Sequence, residues 1–204
     1  MASRRAAAGG RAAARRVAAL TALRAQLRIE LRGVKPEVWR CILVPETITL
    51  AKLHVALQWT MGWTGGHLHE YEIARRRYGV PDREWPEEIP LTDERRVRLS
   101  SFIEAGVRRF TYLYDFGDSW EHVVKIEDLV APRPSLPPVV CLAGANACPP
   151  EDVGGPPGYA EFLAILADPA HEEHADMLRW AGGSFDPAEF DLEATNLLLK
   201  TIKF

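Results

Sequence analysis

The sequence predicts an α+β fold: a mixed, mostly antiparallel sheet laid down as ββαββ then ββ, followed by a C-terminal helical segment. Three observations predict it. Short runs such as "QLRIELRG" and "VWRCILVP" alternate apolar with charged residues, the period of a half-buried strand. These runs lie in the first two thirds of the chain, whereas the last third carries apolar residues at helical spacing. Strands and helices segregated in this way favour α+β over a doubly wound parallel sheet. The chain has 204 residues, 47% apolar and 26% charged, an ordinary globular composition with enough length for a sizeable core.

The elements follow in order. Residues 1–23 form an alanine- and arginine-biased arm, expected to be disordered or partly helical, because Val17, Leu20, Leu23 and Leu27 recur near helical spacing. Residues 24–204 are expected to form a single domain. "QLRIELRG" and "VWRCILVP" pair as a hairpin through "GVKP", and Pro45 stops the second strand. Thr49 can cap the helix "LAKLHVALQWTMGW", in which Leu50, Leu53, Leu57 and Met61 make one stripe and Gly62 ends the run. "HLHEYEIA" is a third strand, and "RRRYG" turns and continues the pairing. Residues 80–98 read as a charged, proline-rich surface loop. "SSFIEAG" is a helical turn closed by Gly106. "RRFTYLYDF" and "WEHVVKIEDLV" are two more strands, and residues 131–158 read as loop. "GYAEFLAILAD", "HEEHADMLRWAG" and "FDLEATNLLLKTI" are three helices, with start signals at Asp186-Pro187 and Asp191. Trp39, Trp59, Trp63 and Trp120 lie on or beside apolar stripes and are expected to be buried.

Charge and cysteine content narrow the function classes. Residues 1–32 hold eight arginines and one acid, while the remainder holds 17 basic and 27 acidic residues, giving the net −3. An acidic body does not suit a phosphate backbone, so a nucleic-acid partner is expected only through residues 1–23. No apolar run approaches the roughly 20 residues of a membrane span, so no membrane partner is expected. Three cysteines do not suggest a disulfide framework, and with no signal-peptide core the chain reads as cytoplasmic.

Four segments carry a family resemblance. "LRIELRGVKPEVWRCILVP", "TLAKLHVALQWTMGWTGGHLHEYEI", "YDFGDSWEHVVKIE" and "CLAGANACPPEDVGGPPGYAEFL" occur in this order and resemble the plasmid pRiA4b open-reading-frame-three-like family. Members are also described as transposon-passenger, TnpR-like proteins. The resemblance covers Arg24 to the C-terminus and implies an association with mobile elements. It does not carry over a recombinase activity, because neither an arginine-rich serine-nucleophile site nor a helix-turn-helix is found in this chain.

The most chemically loaded stretch is "YDFGDSWEHVVKIED". Gly117-Asp118 can form a two-residue type II′ turn, which sets Asp115 opposite Trp120 and Leu113 opposite His122. Asp115 and His122 then become diagonal neighbours on one face. The carboxylate would orient the imidazole and raise its pKa, a component of general acid–base chemistry, so Asp115 and His122 are the catalytic candidates. The competing reading is a structural hairpin in which Asp115 braces the turn and Trp120 packs in the core. His67 and His69, two apart on a strand, share a face. With Asp115 and His122 they are the candidate metal ligands, and Glu151 or Asp152 could join them. The competing reading is a histidine pair beside the core. No cofactor is predicted; only the alternative metal reading of the His/Asp cluster would add a divalent ion.

Other motifs exclude more than they suggest. Cys141 and Cys148 have six residues between them, wider than zinc knuckles use. Gly154-Gly155 precedes a helix, but no lysine is near and the adjacent acids oppose an anion. The nucleophile motifs G-x-S-x-G and S-x-x-K, the dinucleotide motif G-x-G-x-x-G and the zinc motif H-E-x-x-H are absent. The leading expectation is therefore a mobile-element-associated binding or accessory protein, more a binder of a protein partner than an enzyme. Its recognition face would be formed by "GWTGGHLH", "DFGDSW" and "CPPEDVGGPPGY", with Trp63, Asp118, Trp120, Glu151, Asp152, Gly154, Gly155 and Tyr159 as contact residues. The alternatives are a metal-dependent, hydrolase-like enzyme using the His/Asp cluster and a nucleic-acid-tethered factor using the arginine arm.

Overall fold

In the computed structural model, which describes residues 17, 22–81, 91–133 and 135–204, alternating apolar residues fold into an eight-stranded sheet. β1 (Arg24–Leu31) and β2 (Trp39–Pro45) form the first hairpin. β3 (His69–Ile73) and β4 (Arg76–Gly79) form the second. β5 (Thr92–Asp93) is a short edge strand that runs parallel to β4. β6 (Arg109–Tyr114) and β7 (Trp120–Val130) make the third hairpin, and β8 (Val140–Ala145) adds to β2. The spatial order is β5-β4-β3-β6-β7-β1-β2-β8, and every pairing except β4 with β5 is antiparallel. This is an α+β architecture, as the segregated patterns predict.

One face of the sheet is covered by α1 (Leu50–Met61). Thr49 caps it by accepting from the Lys52 amide at 3.4 Å, and Gly62 ends it at φ +89°. Its stripe of Leu50, Leu53 and Leu57 is buried in one apolar core with Leu27, Ile29 and Ile42 of the sheet. Each such side chain contributes about 1.5–3 kcal/mol by leaving water. α2 (Leu99–Glu104) is followed by Gly106 at φ +80°. α3 (Gly155–Ala167), α4 (His174–Trp180) and α5 (Leu192–Leu199) complete the chain. The Asp191 side chain caps α5 by accepting from the Ala194 amide at 2.8 Å.

Two expectations for the loops need correction. Val140–Ala145 is a strand although residues 131–158 read as loop. Its edge partner β2 supplies the hydrogen bonds, and the Asn196 side chain brackets Cys141 by bonding its amide and its carbonyl. Thr92–Asp93 is likewise a strand within the expected loop of residues 80–98; residues 82–90 of that loop lie outside the described residues. The expected arm, residues 1–23, lies almost wholly outside them as well. Of the four tryptophans, Trp63 and Trp120 are buried. Trp39 and Trp59 are only half-buried; the Arg28 guanidinium lies over the Trp39 ring, 4.2 Å from its centre, and covers part of it. Among the described residues no helix is long and apolar enough to cross a membrane, and all three cysteines are free.

Candidate functional site

Three loops meet at one end of the sheet, and the β6–β7 hairpin sets their geometry. Its turn is not the two-residue type II′ turn expected at Gly117-Asp118. Tyr114 pairs with Trp120, Leu113 with Glu121 and Tyr112 with His122, so residues 115–119 form a five-residue loop. Asp115 and Ser119, not Gly117, take the left-handed conformation, at φ +56° and +57°. The physical reason is burial. The tighter register would place the Asp115 carboxylate on the same inner face as Trp120, where an unpaired charge is costly. The longer loop fills that face with Tyr112, Tyr114, Trp120 and His122. Asp115 then braces its own turn, its carboxylate accepting the Gly117 amide at 2.9 Å.

The loop after α1 lies alongside. Trp63 turns inward, stacks on Tyr114 at 5.0 Å and donates its indole N–H to the Pro149 carbonyl at 2.9 Å. The Asp115 amide donates to the Leu68 carbonyl at 2.8 Å, which ties the two loops together. The third loop, between β8 and α3, is anchored through Glu151. Its carboxylate accepts from the Thr64 amide at 3.2 Å, the Thr64 hydroxyl at 2.7 Å and the Tyr114 hydroxyl at 2.5 Å. Burial works against the Glu151 charge, yet hydrogen bonds from Tyr114 and Thr64 hold its carboxyl below the usual range. Burial and that same carboxylate push the Tyr114 hydroxyl up.

The start of α3 closes the assembly. Gly154 and Gly155 sit at φ +91° and +69°. A Cβ on Gly155 would come within 2.4 Å of the Asp118 carbonyl oxygen, so only glycine permits the approach. The Asp118 carboxylate accepts the Gly154 amide at 3.1 Å. A side-chain anion of this protein therefore occupies the glycine pair that a phosphate reading would need.

His67 stands where the three loops converge. Its Nδ1 is 3.5 Å from the Asp115 carboxylate and its Nε2 is 3.3 Å from that of Asp152. One ligand-type atom from each of His67, Asp115 and Asp152 can be chosen so that all lie within 4.8 Å of one another. The Asp152 side chain is 72% exposed and that of Asp115 12%, so the cluster runs from a braced interior carboxylate out to solvent.

Two of the four expected metal ligands lie elsewhere. His69 is on β3 and His67 precedes it, so they do not share a strand face. The His69 ring stacks on His54 at 3.5 Å, and its Nε2 lies 2.9 Å from the buried Glu94 carboxylate. His122 is fully buried on β7, with Nδ1 3.2 Å from the Tyr112 carbonyl. The expected Asp115–His122 pair does not form, because the one-residue difference in register carries Asp115 out of the sheet and toward His67. Nor is the His122 pKa raised: burial lowers it to about 4.

The expected contact surface divides in the same way. Trp63, Trp120, Gly155 and Tyr159 are buried and form the floor of the loop face rather than its surface. Asp118 and Glu151 are half-buried, and Asp152 and Gly154 are exposed. Sequence reasoning did not find Thr64 and Tyr114, which hold Glu151, although both lie inside or beside the quoted motifs. It also did not find the pairing of His54 with His69, fifteen positions apart on a helix and a strand. There burial and the neighbouring His69 lower the His54 pKa to about 3. No local spacing announces such a contact.

Comparison with known proteins places this arrangement in a family. The chain is 46% identical over 172 residues to the uncharacterized protein y4hQ of Sinorhizobium fredii, covering 84% of this chain and 85% of that protein. It resembles the crystal structure of MM3350, a protein of unknown function from Methanosarcina mazei Go1. That likeness has a TM-score of 0.78 at 35% identity and covers 86% of this chain and 98% of the other. A family model matches residues 24–194. The span takes in the sheet, the three converging loops and His67, Asp115 and Asp152 alike: the chain belongs to the family of plasmid pRiA4b ORF-3-like proteins.

Proposed function

We propose that this protein is a cytoplasmic, mobile-element-associated binding or accessory protein whose three-loop face holds a divalent cation at His67, Asp115 and Asp152. The observation that carries the reading is the convergence of one imidazole and two carboxylates, each from a different loop, with ligand atoms within 4.8 Å. One nitrogen and two oxygen donors suit Zn²⁺ or Mn²⁺, with further positions left for water or a partner's donor group. The cation would link loops that already share hydrogen bonds through Glu151 and Asp115. Membership of a plasmid-named family supports the mobile-element setting, and three free cysteines suit a reducing compartment.

The test is isothermal titration of chelator-treated protein with Zn²⁺ and Mn²⁺. One equivalent should bind to the wild type, and the affinity should fall by at least about tenfold in Asp152→Asn and again in Asp115→Asn. An exposed control, His171→Gln, should bind as the wild type does. Equal binding by all four proteins, or none by any, would overturn the site.

One observation favours a second reading, metal-assisted hydrolysis: the outer ligand Asp152 is open to solvent, as a catalytic rather than a closed structural centre requires. That reading expects turnover of an activated phosphodiester or ester that chelation abolishes and Asp115→Asn removes. Metal binding without turnover would leave the binding-protein reading standing alone.

A further inference from the structure

We infer that the groove between α3 and α4 docks a basic segment of a partner protein, seating an arginine or lysine against Glu161 and Glu173 and an apolar neighbour against Trp180. The groove has a volume of about 360 Å³ and lies beside the loop face, with Asp152 at its margin, but it does not depend on a metal there. Its floor is apolar: Phe162 and Ile165 are nearly buried, and Met177 is partly so. Trp180 meets Phe162 edge-on at 5.8 Å yet leaves 48% of its surface in water. An exposed indole on such a floor is the kind of group that anchors an interface.

The charge around the groove selects the occupant. Residues 151–180 hold seven acids and one arginine, a local net charge of −6. That arginine, Arg179, is already paired with Asp176 at 2.6 Å. Glu161 and Glu173 are exposed and line the groove, and among the described residues neither carboxylate has an ion-pair partner. A cation placed there would meet two free carboxylates and could lie over the face of Trp180. The same field repels a phosphate backbone, which argues against nucleic acid as the occupant. A free amine would use the acids but leave the apolar floor in water. A peptide carrying both a cationic and an apolar side chain uses both.

The experiment measures fluorescence anisotropy of a labelled peptide of alternating arginine and leucine on the full-length protein. Two control peptides replace the arginines by glutamate or the leucines by serine. The arginine–leucine peptide should bind, and both controls should bind at least about tenfold more weakly. Trp180→Ala and the pair Glu161→Gln/Glu173→Gln should each cost a similar factor. All three positions are solvent-exposed, or nearly half so, which keeps the variants foldable; circular dichroism checks this. A second pair, Asp168→Asn/Glu172→Gln, removes equal charge outside the groove and should retain binding. Loss by that pair equal to loss by the groove pair would mean diffuse attraction and would overturn the site. So would binding by all variants alike, or no binding at all. If the peptide bound only after deletion of residues 1–20, the groove would belong to the chain's own arm and the partner assignment would fall. Zn²⁺ titration of the groove variants should match the wild type, which separates this site from the cation site.

Discussion

His122 shows how one residue's role turns on its surroundings. It carries an imidazole in a fully buried position, and that burial lowers its pKa from the ordinary 6.5 to about 4. His54, on α1, is lowered to about 3 by burial and by its neighbour His69. In each case the unfolded chain takes up a proton at a higher pH than the folded one does. The stability these histidines contribute is therefore complete above about pH 6.5 and is lost as the pH falls toward their folded values. For His122 the window runs from 6.5 down to about 4, on the order of 3 kcal/mol across it. His122→Phe should flatten the fall of the thermal midpoint between pH 6.5 and pH 4 relative to the wild type. Parallel curves for the two proteins would show that this imidazole does not titrate on unfolding as argued.

At the scale of elements, the join between the β6–β7 loop and the start of α3 is a close backbone contact that only glycine permits. Gly155 brings the helix so close that any Cβ would strike the Asp118 carbonyl, and its φ of +69° disfavours every other residue. Gly155→Ala combines a left-handed penalty with overpacking and should destabilise the protein by about 2–4 kcal/mol. Gly182, at φ +88° with nothing within 4 Å of where a Cβ would lie, carries the conformational penalty alone. Gly182→Ala should cost about 1–2 kcal/mol. Urea unfolding of both variants checks this. Equal costs would mean that α3 relaxes away from the Asp118 carbonyl and that the close approach is not enforced.

The whole molecule separates a strongly basic first segment from an acidic remainder. Residues 1–16 hold five arginines and no acid, while the family match starts at residue 24. Deleting residues 1–20 should therefore leave the thermal midpoint nearly unchanged. A drop of about 3 °C or more, roughly 1 kcal/mol for a chain of this size, would mean that the arm packs on the body. The same deletion tests the alternative expectation of a nucleic-acid tether in the arginine arm. If the arm tethers DNA or RNA, the full chain should show salt-sensitive binding that the shortened chain lacks.

The α+β class was legible in the sequence because alternation and helical spacing are local signals, and so were the Thr49 and Asp191 caps and the Gly62 stop. The three loops that form the candidate site were legible too, as segments dense in glycine, tryptophan and acids. Their chemistry was not, because it depends on register. A hairpin loop of five residues instead of two moved Asp115 from the inner face to His67 and left His122 in the core, and no pattern of period two can distinguish those outcomes. β8 was missed for a related reason: its glycine and small residues are weak strand formers alone, and it forms because β2 offers an open edge and Asn196 brackets Cys141. Sequence by itself therefore determined α1 to α5, the strands apart from β5 and β8, and the loops that carry polar side chains, since these follow from neighbours along the chain. Which of those side chains meet, and which are buried, was decided only in the tertiary structure, where strand pairing and the cost of burying charge act between residues far apart in sequence.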